Sequence, residues 1–162
     1  MALTFNDASL DDQQHVASLI GRPLGGRFAV VVRTNDGRPV VIENEPHLRD
    51  GTPMPTLYWL VDPDLHDAVS RLESEGGVHR FEELVDAEEL QQAHDDYARR
   101  RTLATVRTDL VQANGGVGGT RVGVKCLHAH LANYLAGNAD PVGELVAGSI
   151  DAGTFVIDDV RA

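Results

Sequence analysis

Apolar and polar residues alternate in blocks that predict an ordered series of helices and strands. In "ASLDDQQHVASLIGR", Val16, Leu19 and Ile20 share one helical face. Ser9 is placed to cap that helix, Asp11 and Asp12 suit its positive N-terminus, and Gly21 suits its C-terminal stop. "RFAVVVRTNDGRPVVIEN" reads as a β-hairpin, two β-branched runs flanking the turn residues Asn35, Asp36 and Gly37. The proline-rich "EPHLRDGTPMPT" predicts a loop of restricted shape, and the continuously apolar "TLYWLV" a third strand, central or buried on both faces.

Helical spacing then dominates. Asp62 and Pro63 form a cap and first position for a helix with Leu65, Ala68, Val69 and Leu72 inward, stopping at Gly76-Gly77. "RFEELVDAEELQQAHDDYARRRTLATV" is helical, with a capping box at Asp86 and Glu89 where a short helix breaks before a longer one. Arg99 to Arg101 read as a solvated, dipole-matched helix end. A main helix is predicted from about Val124 to Ala136, a short one over "DPVGELVAG", and a last strand or tail at "TFVIDDV". The expected fold is α+β: a small antiparallel or mixed sheet, a hairpin plus one or two strands, packed against four to five helices. The 162 residues fit a single domain, with the segment 144–162 the least defined.

Composition narrows the partners. A net charge of −11 disfavours nucleic acid and anionic lipid surfaces. One cysteine cannot form an intramolecular disulfide, so no oxidising compartment is implied. "MALTFNDASLDDQQ" has no signal-peptide pattern, and no apolar run has the length of a membrane span, so the expectation is a cytoplasmic protein.

The densest chemistry lies in "NGGVGGTRVGVKCLHAHLA". Glycines at 115, 116, 118 and 119 permit a concave nest of amides, and Arg121 and Lys125 add positive charge beside it. No Gly-Lys-Ser/Thr and no G-x-G-x-x-G follows, so nucleotide loops are excluded and a simple anion site, or a structural loop, is left. No cofactor is expected.

Residues on a regular helix turn by ~100° each, which sets Cys126 and His130 ~40° apart and His128 ~160° from both. One ion held by all three from a single helix is therefore excluded, and no metal is assigned. On this phase His128 faces the apolar side or a cleft, near Lys125 and the loop. Cys126 and His130 face away as a possible thiol–imidazole pair, and His130 on its own reads as a surface residue.

With "GTPMPTLYWLVDP", "SRLE" and "VKCLHAHLA" in this order, the chain resembles a bacterial, chiefly actinobacterial, family catalogued as domain of unknown function 501. The resemblance spans about Gly21 to Gly143. It closes on an Asp140-Pro141-Val142-Gly143 turn, with Asp where the family implies Asn. The family's name implies no activity, although its gene neighbourhood points toward envelope or phosphate biology.

Two readings of function follow. The first is a binding module for a small anion or a protein partner, using Gly116, Gly118, Gly119, Arg121, Lys125 and Tyr58; a homo-oligomer is compatible with it. The alternative is a hydrolase or transferase on a phosphorylated or acyl substrate, with Cys126 or His128 in catalysis.

Overall fold

A computed structural model describes residues 7–150 and the strand Phe155–Ile157. The helix α1 (Leu10–Ile20) is capped by Ser9, whose side chain accepts from the Asp12 amide, and ends at Gly21 in the left-handed region. The hairpin strands are β1 (Phe28–Thr34) and β2 (Pro39–Asn44), followed by β3 (Tyr58–Leu60). The strand β4 is Phe155–Ile157. The sheet order is β3-β2-β1-β4, antiparallel at every pairing.

Six α-helices rather than four or five accompany the sheet among the described residues, because the predicted break at Asp86 separates two of them. They are α1, α2 (Pro63–Ser74), α3 (Gly77–Leu84), α4 (Ala87–Ala104), α5 (Leu127–Leu135) and α6 (Pro141–Ser149). Asp62, Asp86 and Asp140 each accept from the first-turn amides of α2, α4 and α6. Two of these helices open with proline at a position that has no hydrogen bond to lose.

The sheet has a core on each face. Val16 of α1 packs with Phe28, Val30, Ile42 and Val61 on one side. On the other, Val32, Val41, Tyr58 and Leu60 meet Leu65, Val69, Tyr97, Leu127, Leu131 and Val146 from the remaining helices. A register shift after Val30 turns both Val31 and Val32 toward this larger core.

The strand β3 lies at the sheet edge, not its centre. Its sequence is apolar because both faces are covered, with Tyr58 and Leu60 on one core and Trp59 and Val61 on the other. At the start of β3, α4 supplies an acceptor: the buried Tyr97 hydroxyl accepts from Leu57 N at 2.6 Å and lies 3.4 Å from Tyr58 N. Burial pushes the Tyr97 pKa up to about 12.

Arg101 also departs from expectation. Its side chain is buried, donating from Nη1 to Pro55 O at 2.9 Å and from Nη2 to Gly115 O at 2.6 Å. Two loop carbonyls with no strand partner take the fork of one guanidinium, and a helix-end cation becomes a brace. The α5–α6 contact depends on Gly143, since a Cβ there would collide with His130 O and with Tyr134 Cβ.

Candidate functional site

The site is assembled where the middle of α2 meets the start of α5. On α2, His66, Ser70 and Glu73 stand at i, i+4 and i+7, one face of a helix. Glu73 Oε1 accepts from the backbone N–H of Leu127 at 2.8 Å, supplying the cap that Cys126 at the N-cap position does not make. The same oxygen lies 3.2 Å from His128 Nδ1. On the other side of the ring, Nε2 donates to His66 O at 3.1 Å, with Ser70 Oγ also 3.1 Å away. The His66 ring packs over His128 with centroids 4.4 Å apart. A carbonyl can only accept, so Nε2 carries a proton and Nδ1 is the nitrogen turned to Glu73 and Cys126.

Cys126 Sγ lies 3.7 Å from His128 Nδ1. This overturns the pairing of Cys126 with His130, and the reason is local. Cys126 has φ −148° and ψ 124°, extended rather than helical, because α5 begins one residue later. The ~100° phase of a helix does not reach back to it. Desolvation works against a charge on His128. The hydrogen bonds to Cys126 and His66 O, with the fields of Cys126 and Glu73, outweigh it and raise the His128 pKa.

His130 is fully buried, not a surface residue. Its Nδ1 is 2.9 Å from both carboxylate oxygens of Asp140, which also accepts from Asn133 Nδ2 and Gly143 N. Its Nε2 has no hydrogen-bond partner among the described residues. His94 packs edge-on against it, centroids 5.8 Å apart. His94 accepts from Val117 N at Nδ1 and donates from Nε2 to Gly123 O, so it is held as the neutral ring; burial, above other influences, lowers its pKa.

Cys126 and His128 open on a pocket of about 660 Å³. Tyr58, Trp59, Leu60 and Pro63 form much of its wall, Leu19 and Ile20 come from α1, and Arg22, His66 and Asp67 bring polar groups. Of the residues singled out from sequence, Tyr58, Gly118, Cys126 and His128 share this pocket. Gly119, Arg121 and Lys125 are exposed. Gly116 is buried behind them, where a Cβ would lie 2.5 Å from His94.

Three amides of the glycine loop are engaged internally: Gly116 N with Thr120 O, Val117 N with His94, and Gly119 N with Gly116 O. His66, Ser70 and Glu73 were missed from sequence, although their spacing on α2 was a readable signal. Glu73, Cys126 and His128 also form the one group of three metal-ligating side chains among the described residues, with ligand atoms all within 4.8 Å of one another.

A family profile described as "Protein of unknown function (DUF501)" matches residues 30–148. The chain belongs to this family. No match was found among curated proteins, and none among solved structures. The matched segment contains His66, Ser70, Glu73, Cys126 and His128, whereas the α1 rim of the pocket precedes it. No helix of the described residues is long and apolar enough to cross a membrane.

Proposed function

We propose that the protein is a binding module whose pocket between α1, β3, α2 and the start of α5 takes a small molecule with an apolar body and an anionic end. One observation carries this reading: His128, with a raised pKa, is fixed at the polar end of a cavity whose walls are largely apolar. The anion site proposed for the glycine loop moves with it. Gly118 contributes wall, Arg22 adds a cation at the rim, and Lys125 and Arg121 contribute only long-range attraction in an acidic protein.

The test is thermal unfolding in the presence of inorganic phosphate and, separately, of short- and medium-chain fatty carboxylates. A carboxylate-dependent rise in Tm that grows with chain length and is lost in His128→Gln supports the pocket. A flat response in the parent, or a rise that survives in His128→Gln, overturns it.

A second reading, an acyl or phosphoryl hydrolase or transferase, is favoured by the 3.7 Å approach of Cys126 Sγ to His128 Nδ1. A thiolate stabilised by an imidazolium is the nucleophilic form. Alkylation of Cys126 by iodoacetamide at neutral pH should then outpace that of free cysteine, and a rate no faster than free cysteine removes the nucleophile.

A further inference from the structure

Three side chains of different chemistry converge beside the pocket: a carboxylate, a thiol and an imidazole nitrogen. They come from two elements, Glu73 from α2 and Cys126 and His128 from the start of α5. From this convergence we infer that Glu73, Cys126 and His128 bind one zinc-class transition-metal ion, with a fourth coordination position facing the pocket.

Distance is the first argument. Zinc bonds of ~2.0–2.1 Å to N or O and ~2.3 Å to S, spread tetrahedrally, set N···O about 3.3 Å and N···S about 3.5 Å apart. His128 Nδ1 lies 3.2 Å from Glu73 Oε1 and 3.7 Å from Cys126 Sγ. The three ligand atoms together fall within 4.8 Å. Both separations from His128 match a single shared ion, and the third pair is close enough for side-chain rotation to bring it in.

The support behind the ligands is the second argument. A metal-bound imidazole commonly donates its other N–H to a backbone carbonyl or carboxylate, which fixes its tautomer and aim. His128 Nε2 donates to His66 O, with Ser70 Oγ at the same distance. The Glu73 carboxylate is held in turn by Leu127 N–H. The ring nitrogen free of that backbone bond is the one aimed at the other two ligands.

Ligand type selects the metal. Thiolate with imidazole and carboxylate suits zinc, cobalt or another borderline ion, whereas magnesium and calcium want oxygen shells. The two anionic ligands balance a divalent charge, and binding releases protons because thiolate and neutral imidazole are the ligating forms. Three protein ligands and one open position is the arrangement of sites that present a metal to a small molecule. Cys126 and His128 both line the pocket, so the open position faces the space where a ligand would enter. The inference goes beyond the pocket reading, and it weakens the nucleophile reading, since a metal draws charge from the thiolate it holds.

The test uses the full chain, purified without a histidine tag and stripped with a chelator. Titration with cobalt(II) should give one equivalent bound, with a thiolate-to-cobalt charge-transfer band in the near ultraviolet that zinc abolishes. Cys126→Ser should lose the band, and His128→Gln and Glu73→Gln should each weaken binding by about tenfold or more. Ser70→Ala, behind the ligands, should weaken it by roughly tenfold or less. His79→Ala, on the exposed face of α3, should leave it unchanged.

Absence of the band in the parent, or undiminished binding in any of the three ligand variants, overturns the site. Should a variant fail to fold, the parent decides: zinc must protect Cys126 from iodoacetamide by about tenfold or more, and undiminished alkylation overturns the proposal. Carboxylate binding repeated in chelator separates the two ideas. A Tm rise that persists there keeps the pocket without the metal, and a cobalt band without any carboxylate response keeps the metal without that ligand class.

Discussion

His130 sits with its Nδ1 2.9 Å from each oxygen of Asp140, ten residues further on, and both side chains are closed to solvent. Asp140 is at the same time the N-cap of α6 through Gly143 N. One carboxylate thus fastens two helices and a buried ring. Asp140→Ala removes the cap and strands His130 and Asn133, so a loss of about 3–5 kcal/mol is expected from urea denaturation. Asp140→Asn keeps an oxygen for Gly143 and should cost clearly less than the alanine. A loss in alanine within ~1 kcal/mol would mean that the pair contributes only what an exposed ion pair does.

Stability should peak near the usual histidine value of 6.5, because two rings pull in opposite directions from it. The His128 pKa is raised, so its contribution is complete below 6.5 and is lost as pH rises through the folded value. The His94 pKa is lowered, so its contribution is present above 6.5 and is lost as pH falls through the folded value. Denaturation midpoints across this range, in His94→Gln and His128→Gln, should show the acidic and basic flanks flattened respectively. Ring-proton NMR should find His128 titrating above His94; the reverse order refutes the assignment.

Tyr97→Phe removes the acceptor that holds the backbone at the start of β3. Leu57 N is left buried without a partner, which costs about 1–3 kcal/mol by the usual penalty for an orphaned donor. Spectrophotometric titration of the parent should find Tyr97 ionising near pH 12, later than an ordinary phenol.

Gly143→Ala tests how closely α5 and α6 approach. Alanine gains about 1 kcal/mol of helix propensity over glycine. Its Cβ would meet a backbone oxygen, His130 O, which cannot swing aside as a side chain can. Overpacking of about 1–3 kcal/mol should win, and thermal melts should show a net loss. A neutral or stabilised variant would indicate that the two helices separate freely.

What the chain disclosed depended on whether the cause was local. Ser9, Asp62, Asp86 and Asp140 announce their helices because a cap bonds within three residues of itself. The hairpin and its turn are equally local. The burial of Arg101 was hidden, since it answers carbonyls at Pro55 and Gly115 that only the tertiary fold brings near. The phase given to Cys126 fails because the helix expected from about Val124 begins only at Leu127; periodicity marks a helix face but fixes its ends poorly. The spacing of Glu73 on α2 is legible, but its role is not, because its partner Leu127 lies 54 positions away.

The place of Cys126, one residue ahead of α5, decides what kind of object the thiol is. Cys126 belongs to a short backbone span tethered by two carboxylates of the α2–α3 pair, Glu82 on Val124 N at 2.5 Å and Glu73 on Leu127 N at 2.8 Å. It hangs between two moorings and is not welded into a rod. Slackening either mooring should shift the sulfur at a lower cost than unfolding the domain. Amide exchange at Val124 and Leu127 is the direct gauge of it.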